Sequence, residues 1–457
     1  MIPVPFLSGK RVAVMGLGKS GLATARALQD SGAGVMAWDD NEAARRLGAE
    51  AALPIANLMA VNLAKADLLV WSPGIPHTHP QPHPVAEKAR AANIPVVCDV
   101  ELLARAKPDH RFLAVTGTNG KSTTTTLLTH VLNASGNLAA AGGNLGTAAL
   151  DMPDLPGGGR YVLELSSYQL ELVGSLQLGV GILLNISPDH LARHGGMAGY
   201  VAAKRRLFDF MLPGGAAVVG VDDGASKSMA AELSRLGVRV VPISVKQALS
   251  DGVSAPDGVL LDNGKPVCDL KDFPRLPGRH NWQNACAVYA AARAEGVAAK
   301  AIIAALATYL GLAHRQELVA EADGIRWIND SKATNADAAD KALVCYDHIY
   351  WIAGGQAKEG GIASLEKHFS RIEHAFLIGE ASESFAATLE GKVRYTSCVT
   401  LEKAVAAARN LAVSDSIDGA VVLLSPACAS WDQFTSFEHR GDTFRDLVLA
   451  FSGGLAS

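Results

Sequence analysis

Apolar positions in this chain come in short blocks separated by helix-length stretches. From Arg11 the run RVAVMG gives way to KSGLATARALQDSG, then to VMAWDD, and later to LLVWSPG. Short apolar runs bounded by glycine turns predict strands, and strands alternating with helical segments predict a parallel sheet covered on both faces. The pattern breaks at ARAKPDHR, residues 104–111, where charge and proline interrupt it, and a new strand, FLAVTG, begins directly afterwards. A second alternating stretch runs through YVLELSS and GVGILLNIS to the helix-rich NWQNACAVYAAARAEG and AAKAIIAALATYLG. A third begins near Ala313 and holds IRWIND, IYWIAGG, HAFLIGE and VVLLSPA, each ending in a polar or glycine-bearing loop. We read three α/β domains, at 1–107, 108–312 and 313–457. Ligands of open α/β sheets sit beyond the carboxyl ends of the strands, which singles out the loops NDSKATN, AGGQAKEGG and SPACAS in the third.

Composition narrows the function. With 49% hydrophobic residues, 19% charged and 45 glycines, the 457-residue chain suits a loop-rich globular protein and not a disordered one. A net charge of −4 gives no broad electrostatic footprint for nucleic acid or an anionic membrane, so any phosphate site must be local. The start, MIPVPFLSGKR, lacks a charged-then-apolar leader, and no stretch approaches the roughly 18 apolar residues of a membrane span. The expectation is a cytoplasmic protein without membrane insertion. Cys98, Cys268, Cys286, Cys345, Cys398 and Cys428 stand singly, outside any metal-ligand spacing, and read as buried thiols of a reducing compartment.

The strongest local chemistry is GTNGKST, Gly117, Thr118, Asn119, Gly120, Lys121, Ser122 and Thr123, followed by Thr124, between an apolar strand and a helix-forming run. A glycine turn at a helix N-terminus presents backbone N–H groups to phosphate oxygens, Lys121 can reach the β/γ-phosphates, and Ser122 can ligate magnesium. The generic P-loop pattern wants a glycine where Val115 stands. Gly16, Gly18 and Gly21 make a second glycine turn, with Lys19 and Ser20 inside it and Asp39 and Asp40 at the end of the next strand. Such a turn lets a pyrophosphate approach a helix N-terminus while the acid reaches a ribose, which fits a dinucleotide and a UDP-sugar alike. Asn144, Glu164, His190 and Lys204 form a third set, whose carboxylate and imidazole are plausible ligands for Mg²⁺ at a triphosphate.

In this order GTNGKST, LELSSYQL, NISPDH, GRHNWQNA, AHRQE, NDSKATN and LLSPACASWDQF resemble the Mur ligases, the last two resembling the D-glutamate-adding branch of that family. The resemblance spans all three segments. It implies a Rossmann-like N-terminal domain for a UDP-substrate, a central P-loop ATPase-type domain with a mixed sheet, and a Rossmann-like C-terminal domain that closes over the site and serves the amino acid. It implies an ATP-dependent ligase of peptidoglycan precursor synthesis, joining D-glutamate to UDP-N-acetylmuramoyl-L-alanine through an acyl phosphate, as a monomer with small-molecule partners. Carried over, Gly16, Gly18, Lys19, Ser20, Gly21, Asp39, Asp40, Ser72, Pro73, Gly74, Asn144 and His190 hold the UDP-substrate. Residues 117–124 with Asn281, Asn284, Arg315 and Asp330 hold ATP. Ser122 and Glu164 take one Mg²⁺, and His190 with Lys204, as a carbamate, a second; Lys121, Glu164, His190 and Lys204 are the catalytic set. Lys332, Thr334, Lys358, Ser430 and Phe437 surround the glutamate. The alternatives are a folylpolyglutamate synthase-like ligase, and a nicotinamide-dependent oxidoreductase resting on Gly16, Gly18 and Gly21 alone.

Overall fold

The computed structural model describes residues 1–144, 146–357 and 360–453. Two compact units result, one of residues 1–272 with 281–308, the other of residues 273–280 with the chain from 309 onward.

The first unit carries two sheets. The smaller has four parallel strands in the order Gly34–Trp38, Arg11–Met15, Leu68–Trp71, Val96–Val97. Arg11–Met15 lies inside it, so residues 12–15 are all buried and the strand reads as a continuous apolar run. The larger has nine strands, in the order Lys265–Asp269, Val259–Asp262, Val253–Ser254, Arg239–Ser244, Met211–Gly220, Leu178–Leu183, Arg111–Thr116, Arg160–Glu164, Ala139–Gly143. All neighbours run parallel except the pairs made by Val259–Asp262, which are antiparallel. The sheet is mixed, as expected. Arg111–Thr116, flanked on both sides, delivers the loop at 117–120 to the carboxyl edge, and Arg160–Glu164 beside it delivers Glu164.

In the second unit six strands follow the order Glu317–Ala322, Ile325–Asn329, Val421–Leu424, Ile349–Gly354, Ile372–Ile378, Tyr395–Val399, with only the first pair antiparallel. Side chains alternate between its faces. Trp327, Tyr350, Ile352 and Phe376 pack on one face with helices Leu401–Asp415 and Phe437–Ser452, and Ile328, Trp351, Ala353 and Leu377 on the other with helix Ala336–Leu343. Each large side chain so buried stabilises by roughly 1.5–3 kcal/mol. Among the described residues no helix is long and apolar enough to cross a membrane. All six cysteines are free; Cys268 and Cys345, expected to be buried, are half-buried.

Candidate functional site

The strand Arg111–Thr116 ends in a loop that only glycine accommodates at two points. Gly117 (φ +150°) and Gly120 (φ +86°) take backbone conformations that side chains resist, and a Cβ on Gly120 would run into the Asn284 carboxamide. Helix Lys121–Ala134 starts there without a side-chain cap, and its N-terminus points its dipole at the loop, as an anion site requires. The loop is braced from behind: Asn185 Oδ1 accepts from the Asn119 N–H (2.9 Å), Thr118 Oγ1 lies 3.1 Å from the Tyr200 hydroxyl, and Thr124 donates to Asn284 Oδ1 (3.1 Å). Asn284 in turn donates to Asn281 (3.1 Å), which links two of the four residues expected at the nucleotide to the loop.

Two lysines converge on one carbonyl. Lys121 Nζ donates to Gly117 O (3.0 Å) and Thr118 O (2.9 Å), and Lys204 Nζ donates to Gly117 O at 2.8 Å while lying 4.6 Å from the Tyr200 ring centroid. Lys204 is 1% exposed. Burial, followed by the charge of Lys121, lowers its amine to about 7, against a smaller opposing pull from Asp189. Glu164, also buried, accepts from Asn144 Nδ2 at 2.7 Å through one oxygen. Its other oxygen, Oε2, is sealed from solvent and has no hydrogen-bond partner. A capping box between Ser166 and Gln169 fixes the chain directly after it. His190 is exposed in a left-handed conformation (φ +50°), 3.4 Å from Asp189, with its ring 5.5 Å from that of Tyr168.

The first glycine turn is built on close approach. A Cβ on Gly21 would collide with the Gly16 carbonyl and one on Gly16 with Ser72, whereas one on Gly18 would meet open space. Helix Lys19–Asp30 begins behind Gly18, again without a side-chain cap. Asp39 spends both oxygens on backbone, accepting from Leu17 N (2.7 Å) and Asn41 N (2.8 Å), so it shapes the turn. Asp40 accepts from Trp38 Nε1 (3.1 Å) and pairs with His83 (2.8 Å); these partners outweigh partial burial and lower its carboxyl. Ser72 donates to Gly16 O (3.2 Å). Arg193 reaches the same loop, donating to Pro73 O (3.2 Å), Gly74 O (2.8 Å) and Ile75 O (3.3 Å) while its guanidinium lies 4.4 Å from the Tyr168 ring centroid.

In the second unit, Asp330 accepts from Ser425 Oγ (2.8 Å) and from the Gln316 N–H (3.2 Å). Burial dominates over these bonds and over Arg315 and Arg440, and raises its carboxyl to about 7. Lys332 Nζ sits 3.7 Å from the Phe437 ring centroid, a cation–π contact. The Thr334 N–H donates to Lys332 O (2.8 Å), and Ser430, buried, turns its chain by accepting from Gln433 N (3.2 Å) and Phe434 N (2.8 Å). Lys358 and its neighbour Glu359 lie outside the described residues.

Three family descriptions match along the chain: a Mur ligase MurD-like N-terminal domain at residues 10–98, a Mur ligase middle domain at 115–292, and a Mur ligase glutamate ligase domain at 314–428. The chain is 78% identical over 457 residues, all of both chains, to a UDP-N-acetylmuramoylalanine--D-glutamate ligase of Paramagnetospirillum magneticum. The chain belongs to the Mur ligase family. Identity to the ligase of the same name in Rhodospirillum rubrum is 56% (98% of this chain, 96% of the relative). In Caulobacter vibrioides it is 49% (99% and 98%). A crystal structure of UDP-N-acetylmuramate-alanine ligase MurC from Thermotoga maritima superposes with a TM-score of 0.60 at 18% identity, covering 96% of this chain and 99% of that one, and shares the fold.

Mur ligases use ATP, and the residues present suit a phosphate-bound divalent cation. The unclaimed Glu164 Oε2 is a carboxyl oxygen without a hydrogen-bond partner, beside the loop that carries Gly117 and Gly120. Among the described residues no three His, Cys, Asp or Glu side chains gather as a metal set. The braces Asn185, Tyr200 and Arg193 escaped the sequence reading. Tyr200 stands four residues before Lys204 on helix Met197–Arg205, a spacing that places both on one face and could have been noticed.

Proposed function

We propose that this chain joins the amine of D-glutamate to the alanyl carboxylate of UDP-N-acetylmuramoyl-L-alanine, with ATP cleaved to ADP and phosphate, in the synthesis of peptidoglycan precursors. The substrates come from the full-length relatives that carry that name. The observation that carries the chemistry is the phosphate loop with Lys121 and Lys204 on one carbonyl, together with the orphaned oxygen of Glu164.

The helix N-terminus at Gly120 and Lys121 would receive the β- and γ-phosphates, with Lys121 leaving the loop carbonyls for phosphate oxygens. Bound Mg²⁺ would supply neutralisation of phosphate charge, held by Ser122 and Glu164, with His190 and a carbamate on Lys204 at a second ion. A neutral amine is what reacts with CO₂, and the burial and cationic neighbour of Lys204 favour the neutral form. The first glycine turn with Ser72, Pro73 and Gly74 would hold the UDP part, Asn144 and His190 the muramoyl part, and Asn281, Asn284, Arg315 and Asp330 the adenosine and phosphates. Lys332, Thr334, Lys358, Ser430 and Phe437 would surround the glutamate. A carboxylate oxygen of the acceptor attacks the γ-phosphorus and ADP leaves; the glutamate nitrogen then attacks the acyl carbon, loses a proton and expels phosphate. Excluding water protects the acyl phosphate. The reading includes a monomer acting in the cytoplasm.

The test is ADP release with Mg²⁺-ATP and UDP-N-acetylmuramoyl-L-alanine, offering D-glutamate, L-glutamate, L-alanine, L-lysine and meso-diaminopimelate in parallel. Release with D-glutamate alone is expected. Preference for another amino acid would overturn the assignment of Lys332, Thr334, Ser430 and Phe437.

A further inference from the structure

Arg440 lies on helix Phe437–Ser452 with no exposed surface, and among the described residues it forms no ion pair. Its donors go instead to the loops around it. Nε donates to Ser331 Oγ (2.9 Å), Nη2 to Ser331 O (2.9 Å) and Cys428 O (3.1 Å), and Nη1 to Ala429 O (3.4 Å). The Ser331 hydroxyl passes the connection on, donating to Phe437 O at 2.8 Å. Gly355 packs so close that a Cβ there would stand 3.2 Å from Nη1.

The partners are not a random set. Ser331 adjoins Lys332 and lies three residues before Thr334, Ala429 adjoins Ser430, and Phe437 opens the helix that carries Arg440. Burying a guanidinium among carbonyls is costly, and an apolar side chain of similar volume commonly packs such a space at lower cost. What the planar fork supplies is geometry: several donors at fixed angles, each setting the position of a separate backbone segment. Burial lowers this guanidinium to about 10, which leaves it charged near neutral pH.

We infer that Arg440 is a positioning residue of the amino-acid subsite, its guanidinium holding the segments at 331–334, 428–430 and 437 at the spacing that a glutamate fits. The inference rests on the glutamate subsite proposed above. Arg440 touches the loops and not the substrate, so its loss should show in amino-acid recognition and not in the phosphoryl-transfer half of the reaction.

Arg440→Lys keeps the charge and removes the fork; Ser331→Ala removes only the hydroxyl between Arg440 and Phe437. In both, KM for D-glutamate should rise about 10-fold or more while KM for ATP and for UDP-N-acetylmuramoyl-L-alanine stay within about 2-fold, since ångström-scale misplacement is costly at a reacting centre. Acyl phosphate trapped with hydroxylamine in the absence of glutamate should form at the wild-type rate. An unchanged glutamate KM in a folded variant, or a parallel rise of all three KM values, overturns the inference. If Arg440→Lys fails to fold, Ser331→Ala decides alone. A wild type that prefers another amino acid refutes the glutamate reading instead, and the same KM comparison is then made with that amino acid.

Discussion

Lys204 shows how much one side chain's chemistry depends on what surrounds it. Its nitrogen, withdrawn from water and sharing the Gly117 carbonyl with Lys121, titrates at about 7. A carbamate forms only from the neutral amine, so loading should fall as pH drops through about 7. We expect the activity limb on the acid side to move to lower pH when bicarbonate is added, as read from ADP release between about pH 6 and 8 (about one unit either side of the amine). Lys204→Arg, with a permanent charge, should lose activity and show no bicarbonate response; equal activity in that variant would sink the carbamate. The lysine is visible in the sequence as the start of a basic run, KRR, which ordinarily faces solvent. Its burial follows from residues 87 and 83 positions away, Gly117 and Lys121, and no local pattern encodes that.

Among elements, the segment Leu191–His194 connects the two sheets of the first unit. Arg193 holds three successive carbonyls of the 73–75 loop, and His194 bonds Glu171 (2.8 Å) and Ser167 (2.9 Å), the latter on the short helix Ser167–Leu170 that follows Glu164. The loop proposed for the UDP-substrate is therefore tied to the turn after the proposed metal carboxylate. Arg193→Ala should raise KM for UDP-N-acetylmuramoyl-L-alanine by about 10–100-fold, as lost positioning does, with KM for ATP little changed; steady-state kinetics with each substrate varied would show it. The alternation of strands and helices, the glycine turns and the GTNGKST loop were legible because each is encoded by neighbouring residues. Arg193 and Arg440 were not, since an arginine satisfied by distant carbonyls looks in sequence like any solvated one. The antiparallel strands Val259–Asp262 and Lys265–Asp269 were also missed, for they are short and only partly apolar.

At the level of the whole molecule, two compact units predict two unfolding steps in calorimetry rather than one. The residues proposed for UDP-N-acetylmuramoyl-L-alanine, from Gly16 to His190, all belong to the first unit, whose greater length gives it the larger enthalpy. At about 100 times its Kd this ligand adds about 2.7 kcal/mol to the state that binds it. The larger transition should move up by several degrees and the smaller stay in place. A shift confined to the smaller transition would contradict the assignment of the first glycine turn. The strand Lys265–Asp269 forms one margin of the nine-stranded sheet, where unpaired N–H and C=O groups could recruit another copy of the chain. Lys265 sets a charge there, Pro266 removes a donor, and the register slips just past the Leu261–Pro266 pair, between Leu260 and Leu261. A margin so interrupted is a poor template for intermolecular strand pairing, which favours a protein that can be concentrated without forming fibres.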